Sequence, residues 1–73
     1  MNQDQINRLG FDAWADNEFV NAIENFAPVA TGDIRAESDE MTMKLSFTTT
    51  HIHCVIRAYT QDGWQTYERE IKR

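Results

Sequence analysis

From Met41 to Ile71 apolar and polar residues alternate so as to write two consecutive β-hairpins. If the chain reverses at Thr49-Thr50, Phe47 falls opposite Ile52, Leu45 opposite Cys54, Met43 opposite Ile56 and Met41 opposite Ala58. Side chains alternate between faces along a strand, so these eight share one face. The other face pairs Thr48 with His51, Ser46 with His53, Lys44 with Val55 and Thr42 with Arg57. A slip of one residue would turn Lys44 and Arg57 into the core, so the pattern specifies its own register.

The second hairpin closes at Gln61-Asp62-Gly63, where Asp-Gly is a strong turn signal. Two registers are open. With Asp62-Gly63 as the central pair, Ala58 meets Tyr67, Cys54 meets Ile71 and Arg57 meets Glu68. A four-residue loop instead sets Ile56 against Tyr67 and Tyr59 against Trp64. Both keep Tyr67 and Ile71 with the core and leave Val55, Tyr59 and Trp64 behind it. Arg69 lands on the core face either way, which predicts a buried stem and a charge carried out to the rim.

Upstream, the period changes from two to that of a helix. Asn2 or Asp4 is placed to cap a helix beginning near Gln3, with Ile6, Leu9 and Ala13 on one stripe and Gly10 a weak point. Phe11, Trp14 and Ala15 continue the stripe. Phe19, Val20, Ile23, Phe26 and Ala27 form a second compact face. One bent helix or two short ones would satisfy this pattern. Asp16-Asn17-Glu18 reads as a fresh start signal, which places the break near Asp16. Pro28 then ends the helical region. Thr31-Gly32 is a turn, Asp33 to Asp39 a short charged edge strand with Ile34, Ala36 and Ser38 on one side, and Ser38-Asp39-Glu40 leads into Met41. The expected fold is therefore α+β in one domain. Residues 1–28 form a helical cover on one face of a three- to four-stranded antiparallel meander over 33–73.

Size and charge narrow this picture. A chain of 73 residues buries only about 60% of its unfolded surface, so its core is small. The polar start MNQDQINRLG lacks the apolar stretch of a signal peptide, and no apolar run approaches the roughly 20 residues of a membrane span. The expectation is a cytoplasmic protein without a membrane partner. Net charge is −5 but uneven: residues 1–40 carry nine acids against two bases, residues 41–73 three acids against five bases. An acidic layer over a mildly basic sheet disfavours nucleic acid and suits a larger protein partner with a basic surface.

Candidate chemistry is sparse. His51 and His53 share a strand face, with Glu70 the carboxylate expected nearby, but Cys54 points the other way and a zinc site needs three or four convergent ligands. Cys54 alternates with Ile52 and Ile56, as a small buried hydrophobe does. Asp12 and Asp16 stand one helical turn apart, which is also the spacing of a solvated face. There is no glycine-rich phosphate loop, nucleophile elbow or clustered Ser-His-Asp set. No catalytic residue, metal ligand or cofactor is assigned.

What stands out is an open sheet face carrying Tyr59 and Trp64, side-chain types enriched at interface hot spots. Asp12, Asp16 and Glu18 crowd the expected helix break, and Glu37, Asp39 and Glu40 line the expected edge. These eight residues are the candidate partner-binding set. They favour a small acidic interaction protein, an inhibitor or adaptor covering a basic, nucleic-acid-binding site. Phage-encoded inhibitors of host defence, anti-CRISPR proteins among them, share this size and charge, an analogy of class only. Two alternatives stand beside it: a nucleic-acid binder stacking bases on Tyr59 and Trp64 with Lys44, Arg57 and Lys72 at phosphates, and a metal-dependent enzyme or sensor at His51 and His53. The Ile71 edge or the Tyr59/Trp64 face also offers a surface for a homodimer.

Overall fold

The computed structural model describes residues 2–26 and 31–73, without the side chains of Asn2 and Phe26. Two helices, α1 (Asn2–Leu9) and α2 (Phe11–Phe26), precede four strands, β1 (Gly32–Ser38), β2 (Met41–Phe47), β3 (His51–Thr60) and β4 (Gly63–Lys72). The strands pair antiparallel in the order β1-β2-β3-β4, an open meander. Both helices lie on one face, α1 against β3 and α2 against β3 and β4. This is the expected α+β arrangement.

The first hairpin has the register its alternation implies, with Phe47 opposite Ile52, Leu45 opposite Cys54, Met43 opposite Ile56 and Met41 opposite Ala58. The Thr48 N–H donates to the His51 carbonyl at 2.9 Å and closes the turn. The second hairpin takes the register expected of the longer loop, but Thr60 and Gly63 also pair, leaving a two-residue turn: Ile56 faces Tyr67, Tyr59 faces Trp64, and Arg69, not Ile71, faces Cys54. Thr60 decides between the two registers. Its buried hydroxyl donates to the Gly63 carbonyl at 2.8 Å and accepts from the Asp62 N–H at 3.1 Å, so Gln61-Asp62 is the central pair. Gly63 follows at φ 97°, a conformation that glycine adopts without strain.

The helix break sits at Gly10 rather than near Asp16. Gly10 has φ 86°; its N–H donates to the Ile6 carbonyl at 2.8 Å and its carbonyl accepts from the Trp14 N–H at 3.0 Å. One glycine thus closes α1 through a left-handed cap and opens α2. Asp16 and Asn17 lie inside α2, where their capping tendency has no free N–H to serve.

Moving the break rephases the buried face. Phe11, Trp14, Ala15, Phe19 and Ala22 of α2 enter the core with Ile6 of α1, spaced as one helical stripe. Val20, expected inside, is 44% exposed and Leu9 48% exposed. Val20 stands one residue off the stripe, a rotation that turns it to solvent, and Leu9 is the last residue of α1, outside the buried cluster. Ile23 packs only partly buried against the cluster. Phe26, Ala27 and Pro28, expected to close the helical face and end it, lie outside the described side chains or residues.

Against the helices the sheet sets Met43, Leu45, Phe47, Ile52, Cys54, Ile56 and Ala58, all buried. Arg69 carries its charge to the rim as expected, its guanidinium 5.9 Å from the Phe19 ring centroid on the way to a carboxylate on α2, but the residue is exposed and not buried along its stem. The edge strand β1 runs from Gly32 to Ser38, with Asp39 in the turn beyond. Only Ile34 in it is partly buried.

Candidate functional site

The candidate site is one corner of the sheet's outer face. Residues of one strand face alternate, so the face away from the helices carries Thr42 and Lys44 of β2, Val55, Arg57 and Tyr59 of β3, and Trp64 and Thr66 of β4. Pairing runs one row across all four strands, Glu37 to Thr42 to Arg57 to Thr66. The next row out begins where the Tyr59 N–H donates to the Glu40 carbonyl at 2.9 Å and continues from Tyr59 to Trp64. Glu37, Asp39, Glu40, Tyr59 and Trp64 therefore share one corner, with Asp39-Glu40 forming its turn.

Within the corner the aromatic pair is ordered by its own contacts. Tyr59 and Trp64 are 51% and 50% exposed. Their ring centroids lie 5.7 Å apart at 75°, edge to face. The Arg57 guanidinium sits 5.7 Å from the Trp64 ring centroid. Arg57, expected only as a phosphate contact in the nucleic-acid alternative and outside the partner-binding set, joins the aromatic pair here. The signal was available: Arg57 precedes Tyr59 by two and, in the observed register, lies diagonal to Trp64. Alongside, a shallow groove of about 250 Å³ is lined by Arg35, Glu37, Thr42, Met43, Lys44 and Val55. The corner thus offers an aromatic–guanidinium anchor bordered by three exposed carboxylates.

The other three predicted residues are elsewhere. Asp12 and Glu18 lie on α2, and only Asp12 is near the break at Gly10. Glu18 lines a groove of about 320 Å³ between the helices, with Gln5, Arg8, Leu9, Trp14, Asn17 and Asn21. Asp16 is engaged within the fold: one of its oxygens accepts from the Tyr67 hydroxyl at 2.7 Å and from the Arg69 guanidinium. The Tyr67 hydrogen bond, then that of Arg69, holds its carboxyl below the usual aspartate range. Asp16 is thus a clasp between helix and sheet.

The histidines separate. His53 Nε2 meets Glu68, not the directly opposed Glu70, at 2.7 Å. His51 Nδ1 meets the Thr50 hydroxyl at 2.8 Å. Cys54 is fully buried on the other face, and burial pushes its thiol up to about 11. Among the described residues no three or more His, Cys, Asp and Glu converge as metal ligands do, and no helix is long and apolar enough to cross a membrane.

No protein-family model matches the chain, and no curated protein or solved structure is significantly similar to it.

Proposed function

We propose that this chain is a protein-interaction module that binds a larger partner through the Tyr59/Trp64 corner. The observation that carries this reading is the convergence of two half-exposed aromatics, a stacked Arg57 and the carboxylates of Glu37, Asp39 and Glu40 on one corner. Tyr, Trp and Arg are the residue types that dominate interface energetics. The acidic border selects a basic surface and speeds encounter with it. A partner whose basic surface holds nucleic acid would lose that site when covered, so the chain acts as an inhibitor or adaptor, by occlusion rather than by chemistry.

The test begins with pulldown from the source cells, followed by titration of the captured partner. Trp64→Ala is expected to weaken binding by about 2 kcal/mol or more, as hot-spot residues do. Charge reversal at Glu37 and Glu40 should slow association and flatten its salt dependence while leaving thermal stability unchanged. Tight binding of single-stranded oligonucleotide, lost with Trp64→Ala, would replace this reading with the nucleic-acid one. A partner indifferent to all three changes would remove the corner as the site.

A further inference from the structure

The open edge of β1 carries a second, independent inference. The hydrogen bonds Thr48 N–H to His51 O and Tyr59 N–H to Glu40 O fix the phase of the β2–β3 ladder. In an antiparallel pair the bonded and non-bonded positions alternate, so even-numbered residues of β2 bond to β3 and odd-numbered ones to β1. The β1 partners of those odd residues are Gly32, Ile34, Ala36 and Ser38. The N–H and C=O groups of Asp33, Arg35 and Glu37 consequently point outward along the free edge. Among the described residues no turn, loop or cap hydrogen bond reaches them. Six of the seven residues of β1 are exposed, so nothing described shields the edge from either face. Such an edge is a template for another strand.

We propose that the edge takes a second copy of this chain, antiparallel, about a two-fold axis at Ile34, joining two four-stranded sheets into one. The order of charges selects both the occupant and the register. Asp33, Arg35 and Glu37 alternate in sign on the outer face. A two-fold axis at Arg35 would oppose Arg35 to Arg35 and Asp33 to Glu37, setting like charge against like. An axis at Ala36 pairs Arg35 with Glu37 but brings Asp33 against Asp39. An axis at Ile34 places each Arg35 opposite the partner's Asp33, within a hydrogen-bonding pair, and sets the two Ile34 side chains together. It opposes no like charges. Among the described residues Arg35 forms an ion pair only with Glu37, at 3.8 Å and exposed, so a cross-strand carboxylate is a better partner than it has there. The arrangement is isologous and closed, and it leaves Tyr59 and Trp64, two and three strands in from that edge, uncovered.

Sedimentation of the full chain across micromolar to millimolar concentration tests this. The parent is expected to pass from monomer to dimer. Arg35→Asp should abolish the dimer, and Arg35→Asp combined with Asp33→Arg should restore it. An axis at Ala36 would not allow that rescue, because residue 35 would then oppose the partner's Glu37 with like charge. Arg35→Pro removes an outward N–H that the β1–β2 ladder does not use, together with the guanidinium, so it should fold with an unchanged circular dichroism spectrum yet remain monomeric. A parent monomeric throughout overturns the proposal. So does a dimer that survives Arg35→Asp and Arg35→Pro, which would place the contact at β4 or the aromatic corner, or one that the double exchange fails to restore.

Discussion

The Tyr67 hydroxyl donates to the Asp16 carboxylate across 2.7 Å, tying β4 to α2 over a sequence separation of 51 residues. Arg69 donates to the same oxygen. Both bonds favour the ionised carboxylate, so the folded pKa lies below that of the unfolded chain. The stabilisation is therefore present above the ordinary aspartate pKa of about 4 and lost as pH falls through the folded value. At acid pH the unfolded chain binds the extra proton. Urea midpoints followed from neutral to strongly acid pH should drop in that window, and Asp16→Asn should flatten the drop. An unchanged acid slope in Asp16→Asn would show that the clasp contributes nothing to stability.

The core should be unforgiving on its sheet side. Phe47→Ala is expected to cost about 3–5 kcal/mol, a large share of the 5–15 kcal/mol typical of a whole domain. Val20→Ala, on a side chain 44% exposed, should cost much less. Chemical denaturation of the two variants side by side checks both the buried hairpin face and the rotation of α2. Equal losses would contradict the observed helix phase.

Gly10 should resist replacement. A Cβ there would meet nothing within 4 Å, so any cost comes from its φ of 86°. Gly10→Ala is expected to destabilise by about 1–2 kcal/mol through left-handed strain, against the gain that Gly→Ala brings at an ordinary helical position. A melting temperature raised by Gly10→Ala would mean that the two helices run on as one.

Cys54 should be silent until the chain unfolds. It is fully buried, with its thiol raised to about 11 by desolvation. At neutral pH a disulfide reagent should modify it only at the rate of opening, and denaturant should release the full stoichiometric reaction. Prompt labelling of the native protein would show that the sheet and helices separate readily.

The hairpin faces were legible because alternation has a sharp period and Lys44 and Arg57 forbid a slip. The second turn was harder. Asp-Gly marks a turn in either register, and what separated them was the Thr60 hydroxyl binding the Gly63 carbonyl, a local competition that alternation does not encode. The helix break was misplaced for a similar reason. Asp16-Asn17 carries a capping signature, but Gly10 alone adopts the left-handed φ that lets one residue end α1 and begin α2. Of the candidate site, the exposed aromatics could be read from alternation. Their meeting with Glu37 and Glu40 could not, because it depends on how β1 and its turn lie against β2.

The meander also dictates an order of events. Each strand reaches its partner through a turn of a few residues, whereas the helices touch the sheet through pairs such as Gln3 with Tyr59, Asn7 with Gln61 and Asp16 with Tyr67, separated by 56, 54 and 51 residues. Closing short loops costs little entropy and closing long ones costs more. In refolding, strand formation should therefore precede burial of Trp14, and a tryptophan signal as fast as the strand signal in a Trp64→Phe background would count against this. On the ribosome the sequence of synthesis is reversed. The helices are made first, and Trp14 and Phe19 stay uncovered until β4 follows, which makes that interval the one in which a chaperone has most to hold.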